Sequence, residues 1–140
     1  MGAEWTNNLS IDMPKIDSQH QELFRQIDIL LKAWAGGRGR VEVVGIIKFL
    51  ERYIADHFAV EERYMIKYAY ANRLAHMAQH EVFRTNFEKL KTRYYQTGAD
   101  DDLIADMNEL VVDWFRDHIR FVDRALGLYL KIMMHEGRVA

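Results

Sequence analysis

His57 and Glu61 stand four residues apart in the run from Leu50 to Tyr68. On a helix that spacing puts an imidazole and a carboxylate about 40° apart in azimuth and one turn apart along the axis. Extending the 4-3 spacing both ways collects Leu50, Ile54, His57, Glu61, Tyr64 and Tyr68. The two polar groups therefore share the stripe that faces a core. A charge or an unpaired imidazole buried there is costly, so something must compensate. A metal ion is the partner this pair suggests.

The same spacing recurs elsewhere. Ile16, His20, Leu23, Ile27, Leu30 and Trp34 form one stripe, and His76, His80, Phe83, Phe87, Leu90 and Tyr94 another. A third runs Met107, Val111, Trp114, His118, then Phe121/Val122, Ala125 and Leu128/Tyr129. Five of the six histidines thus fall on core stripes. One buried imidazole can bond to a carbonyl or a tyrosine. Five, together with Glu61, would each need a separate partner inside one small core. A shared metal centre satisfies them together.

Histidine-dominated donors with one or two carboxylates suit iron, zinc or copper better than calcium or magnesium. Five imidazoles exceed what one tetrahedral zinc uses, so two metals are the more natural reading. No Glu-x-x-His occurs, and only Asp17-Ser18-Gln19-His20 has a comparable form. The centre is therefore histidine-rich, unlike the carboxylate-rich sites of ferritin-like bundles. Asp123 fits less simply, because five residues after His118 is about 140° away around an ideal helix. Spacing alone makes it a surface carboxylate beside Arg124. As a ligand it would require a π-type bulge between His118 and Asp123.

The elements that must carry these residues are all helical. One proline in 140 residues and few alternating β-branched runs predict an all-α protein. Helices are expected at about 15–35, 41–68, 73–96 and 101–130, the last able to continue past 130 before a frayed tail at 135–140. Gly36-Gly37-Arg38-Gly39 closes the first, and Thr97-Gly98-Ala99-Asp100 separates the third from the fourth. The break at Tyr70-Ala71-Asn72 has neither glycine nor proline and is the weakest boundary. Residues 1–15 form an irregular arm whose Trp5, Leu9, Ile11 and Met13 cover one end or side. Four long amphipathic helices with short connections make an up-down-up-down antiparallel four-helix bundle, a single domain over 1–140.

Composition bounds the function. The net charge is −2 with acids and bases interspersed, so no nucleic-acid or lipid surface is expected. With no cysteine, disulfides, thiolate metal sites and cysteine nucleophiles are excluded. No signal segment or membrane span is read, which makes a cytoplasmic location the expectation. Met1-Gly2-Ala3-Glu4-Trp5-Thr6 satisfies the loose myristoylation pattern, but no polybasic patch follows it.

Ile16-Asp17-Ser18-Gln19-His20, His57-Phe58 with Glu61-Glu62, His76-x-x-x-His80, and Trp114-Phe115-x-x-His118-Ile119 with Asp123 together resemble the hemerythrin signature in its bacterial single-domain form. The resemblance spans residues 5 to about 125 and fills all seven ligand positions in order. It implies two non-haem iron ions with an oxo or hydroxo bridge. His76, His80 and His118 would hold one iron, His20 and His57 the other, and Glu61 and Asp123 would bridge them. One position is left open on the two-histidine iron, and the implied activity is reversible dioxygen binding for storage, delivery or sensing. Leu23, Phe58, Trp114, Phe115 and Ile119 resemble the apolar lining of the oxygen pocket, and each also reads as ordinary core packing. Two departures stand out. The turn before the third helix lacks a Gly-Tyr-Pro-like sequence, and Phe115 stands where the family often has leucine, which would narrow the pocket.

The alternatives are a di-iron enzyme acting on peroxide or nitric oxide, and an iron-handling bundle. No additional acid, base or nucleophile stands beside the open position, which argues against an enzyme. Tyr53, Tyr64 and Tyr68 read as bundle packing, and Glu62 as a solvated surface residue, with support of a ligand from behind as its second reading. A monomer is expected, with dioxygen as ligand and an oxygen-consuming enzyme as the candidate partner.

Overall fold

The computed structural model describes residues 5, 9–11 and 13–139, with side chains up to residue 135. The acylation pattern at residues 1–6 falls, Trp5 apart, outside them. Four helices form the antiparallel bundle, and no strand occurs among the described residues. None of these helices is long and apolar enough to cross a membrane.

The first helix, α1, runs Pro14–Ala35. Pro14 opens it, where a missing N–H costs nothing. Asp17 in its first turn ties the arm down, accepting hydrogen bonds from the Ile11 N–H (2.9 Å) and the Ser10 hydroxyl (2.6 Å). Ile16, His20, Leu23, Ile27 and Leu30 are buried, as their spacing requires. Trp5 of the arm sits against His20 and Phe24, with centroids 6.5 and 6.1 Å away.

The second helix, α2, runs Gly39–Lys67, starting two residues before the expected Val41. Gly39 is needed there because a Cβ would lie 2.3 Å from the Trp34 ring. The third, α3, runs Arg73–Thr97. The turn between α2 and α3, without glycine or proline, is made by Ala69 in the left-handed region at φ 51°. The Tyr70 N–H closes it on the Met65 carbonyl at 2.9 Å, and the Tyr129 hydroxyl donates to the Tyr68 carbonyl. An alanine held in that region costs about 1–2 kcal/mol. Ala69→Gly is therefore expected to stabilise the fold by about 1 kcal/mol, part of the gain being lost to unfolded-state entropy. Urea unfolding checks this, and an unchanged midpoint would mean the turn carries no strain.

The fourth helix, α4, departs most from expectation. Asp100 caps it, accepting from the Leu103 N–H at 2.7 Å. It begins with Asp101–Asn108, passes through a π-helical turn at Glu109–Asp113, one α-turn at Trp114–Asp117 and a second π-turn at His118–Asp123, and continues as Arg124–Val139. Each π-turn takes in extra backbone and rotates the following stripe. Beyond His118 the buried residues are accordingly Ile119, Asp123, Leu126 and Leu130, not the expected Phe121/Val122, Ala125 and Leu128/Tyr129. Phe121 and Leu128 are 67% and 59% exposed. The tail, expected to fray from His135, stays helical to Val139.

The main core gathers residues of all four helices, among them Leu23, Phe58, Phe83, Phe115 and Ile119. A smaller one is built on Met65, Leu126 and Leu130.

Candidate metal centre

Among the described residues, the buried polar and charged side chains are His20, His57, Glu61, His76, His80, His118 and Asp123, none more than 2% exposed. They come from all four helices: His20 from α1, His57 and Glu61 from α2, His76 and His80 from α3, His118 and Asp123 from α4. Their donor atoms fall into two groups within 4.8 Å, Glu61–His76–His80–His118–Asp123 and His20–His57–Glu61–Asp123. Both carboxylates belong to both groups.

The distances show how they are shared. Asp123 Oδ1 lies 3.1 Å from His76 Nε2 and 3.0 Å from His118 Nε2, and its Oδ2 lies 3.1 Å from His20 Nε2. Glu61 Oε1 lies 3.1 Å from His80 Nε2 and 3.5 Å from His76 Nε2, while Oε2 is 3.8 Å from His57 Nε2. Each carboxylate turns one oxygen to each group. The π-turn at His118–Asp123 makes this possible, because an ideal helix would carry Asp123 about 140° away from His118. The structure buries Asp123 instead of leaving it beside Arg124 at the surface.

These contacts are close without being hydrogen bonds. Both oxygens of Glu61, both of Asp123 and the Nε2 atoms of His76, His80 and His118, although buried, have no hydrogen-bond partner among the described residues. Atoms gathered this closely without bonding to one another are a donor set suited to a cation. Nitrogen and carboxylate oxygen together select a transition metal.

Without a cation the same groups compete for protons. Burial pushes Glu61 well above the usual carboxylate range, and the neighbouring charge of Asp123 adds to this. Burial works the same way on Asp123, but the charge of His118 and the close approach of His118, His20 and His76 outweigh it and hold that carboxyl well down. Burial alone would lower His76; Asp123 and Glu61 together carry it up to about 9. Burial and the charges of His76 and His118 take His80 down to about 2. Burial and His20 depress His57 as well. Groups of one kind are thus driven in opposite directions, and only a cation makes every deprotonated form favourable at once.

Three imidazoles are aimed from behind. His57 Nδ1 meets Gln19 Oε1 at 2.7 Å, His80 Nδ1 meets Glu62 Oε2 at 2.8 Å, and His118 Nδ1 meets Gln79 Oε1 at 3.0 Å. Each acceptor fixes the proton on Nδ1 and leaves Nε2 free to bind. Glu62, expected to be a solvated surface residue, is instead a positioning residue for His80 and lies 3.5 Å from Arg84. Glu62→Ala is expected to weaken metal binding about 10–100-fold with the fold retained. A chelator competition reads this directly, and equal affinity would remove the orienting role.

The apolar residues divide the work. Phe58 lies flat on His80 (3.8 Å between centroids, 3° between planes), and Trp114 on His118 (4.4 Å, 13°). Both therefore brace the three-histidine group. Phe115 stands 6.3 Å from His57 and 6.4 Å from His118, and is fully buried with Leu23 and Ile119. Gln19 and Gln79 were not anticipated; their signal is an amide immediately before His20 and His80. Tyr53, expected to be packing, stacks on His57 at 5.1 Å.

Comparison with known proteins agrees with this arrangement. The hemerythrin HHE cation binding domain matches residues 13–128. The bacteriohemerythrin of Stenotrophomonas maltophilia (strain R551-3) is 27% identical over 94% of this chain and 84% of its own. That of Clostridium acetobutylicum is 28% identical over 86% of this chain and 95% of its own. The protein of the same name from Methylococcus capsulatus is 31% identical over 79% of this chain and 82% of its own. With the family match extending over most of a four-helix bundle whose buried polar layer is five histidines and two shared carboxylates, the chain belongs to the bacterial hemerythrin family.

Proposed function

We propose that the seven-residue cluster holds two non-haem irons, bridged by Glu61, Asp123 and an oxo or hydroxo group, and that the protein binds dioxygen reversibly at this centre. The observation that carries the reading is the asymmetry of the donor set. Both carboxylates are shared, but three imidazoles stand on one side and two on the other, so the two-histidine side has room for an outside ligand. A bound iron pair would supply the two-electron redox chemistry by which dioxygen is held and released.

The protein's part is to place donors and exclude water. Gln19, Glu62 and Gln79 orient imidazoles, and Phe58 and Trp114 keep two of the rings in plane. Leu23, Phe115 and Ile119 supply a dry apolar wall. Among the described residues the buried charged groups are those of the cluster itself, which favours carriage over turnover. We read the chain as one domain, a monomer acting in the cytoplasm, that stores dioxygen or delivers it to an oxygen-consuming enzyme.

The test is the visible absorption spectrum of the anaerobically reduced, iron-loaded protein, recorded again after air and after deoxygenation. Reversible binding gives a charge-transfer band that comes with air and goes with oxygen removal. A spectrum that passes irreversibly to the oxidised form would favour the enzyme or iron-handling alternative.

A further inference from the structure

One buried polar group beside the cluster lies outside its seven histidine and carboxylate donors. Tyr53 precedes His57 by one turn of α2, its ring stacked on that imidazole at 5.1 Å and 21°. Phe49 stacks on it at 5.6 Å, and Phe115 meets it edge-on at 6.3 Å. The residue is 9% exposed, and its hydroxyl is buried with no hydrogen-bond partner among the described residues. A buried phenol normally finds a partner, because leaving its O–H unpaired forfeits the bond it made to water. Glu61 and Asp123, the shared carboxylates, are within electrostatic reach of this hydroxyl.

The stacking partner decides where Tyr53 can act. His57 belongs to the group with fewer donors, the side on which a further ligand completes the set. We propose that Tyr53 donates its hydroxyl hydrogen bond to a small ligand that carries negative charge on this side, and so sets ligand selectivity in an otherwise apolar pocket. The proposal rests on the metal-centre reading above. A dry wall of Leu23, Phe115 and Ile119 by itself favours neutral ligands; a single aimed donor shifts the preference toward anions and toward ligands that gain charge on binding.

The experiment uses Tyr53→Phe and wild type, both iron-loaded and oxidised, with azide as the probe. Azide is titrated by visible absorption, and its stretching frequency is read in the infrared. Expected are equal iron contents, azide affinity about tenfold weaker in Tyr53→Phe, and a shifted azide stretch. The melting temperature of the metal-free variant should equal or exceed wild type, since only a partnerless hydroxyl is removed. Equal azide affinity with an unshifted stretch overturns the proposal. So does a lowered metal-free melting temperature with unchanged azide binding, which would make the hydroxyl structural. Wild type that loads iron but takes no azide also overturns it, whereas wild type that loads no iron overturns the metal-centre reading itself.

Discussion

Asp123→Ala is expected to empty both halves of the metal centre at once. Its two oxygens face different groups: Oδ1 approaches His76 and His118, and Oδ2 approaches His20. Removing it takes a donor from each of the two groups and one of the two carboxylates they share. The loss of affinity should exceed the roughly 100-fold that outer, orienting residues command. The helices should persist, because His76 loses one of the two carboxylates that raise it and keeps Glu61. Metal content per chain after identical loading, with far-ultraviolet circular dichroism, measures both. His135→Ala is the control, an exposed histidine remote from the stripes, and should keep its full metal content. Half-loading of Asp123→Ala would show that the carboxylate serves one group only, and full loading would remove it from the ligand set.

Three of the four helices were legible because their core stripes follow an undisturbed period. Ile16, His20 and Leu23 on α1, Ile54, His57 and Glu61 on α2, and His76, His80 and Phe83 on α3 are all buried. In these elements azimuth follows from residue number alone. A polar residue on such a stripe announces itself by the cost of burying it. That is why His57 and Glu61 stand out in the sequence alone.

The fourth helix was legible only up to its π-turns. Nothing local in His118-Ile119-Arg120-Phe121-Val122-Asp123 marks the extra backbone; there is no glycine or proline, and each residue suits an α-helix well enough. The turn is held by what it achieves, namely Asp123 among three imidazoles, which is a tertiary effect. Everything downstream then shifts, so that Leu126 and Leu130 replace Ala125 and Leu128 in the interior. The orienting residues were hidden for another reason. Gln19, Glu62 and Gln79 lie one position off a stripe, where a single helix seen alone looks solvated. Their role exists only between helices: Gln79 of α3 serves His118 of α4, and Glu62 of α2 serves His80 of α3.

Chelating the metal at neutral pH is expected to lower the melting temperature by roughly 10–20 °C. Ligand held at a thousandfold excess over its Kd adds about 4 kcal/mol, and a domain of this size shifts by about 3–5 °C per kcal/mol. The pH dependence has a definite sign. His76 holds its proton in the metal-free fold up to about 9, so its contribution to metal-free stability is complete below 6.5 and fades as pH rises through about 9. Metal must displace that proton, so affinity should climb about tenfold per pH unit and level off near 9. Glu61, raised by burial and by Asp123, holds a second proton that the metal must displace. His80 and His57 act oppositely on the fold: they stay neutral inside while the unfolded chain takes up protons below 6.5, so metal-free stability falls as the solution is acidified. Acid therefore ejects the metal and weakens the fold left behind. Differential scanning calorimetry of loaded and chelated protein across that range, with the protons released on loading counted in weak buffer, tests both halves. Equal melting temperatures would show that the folded chain binds no metal in preference to the unfolded one. An affinity indifferent to pH below 9 would show that His76 carries no proton for the metal to displace.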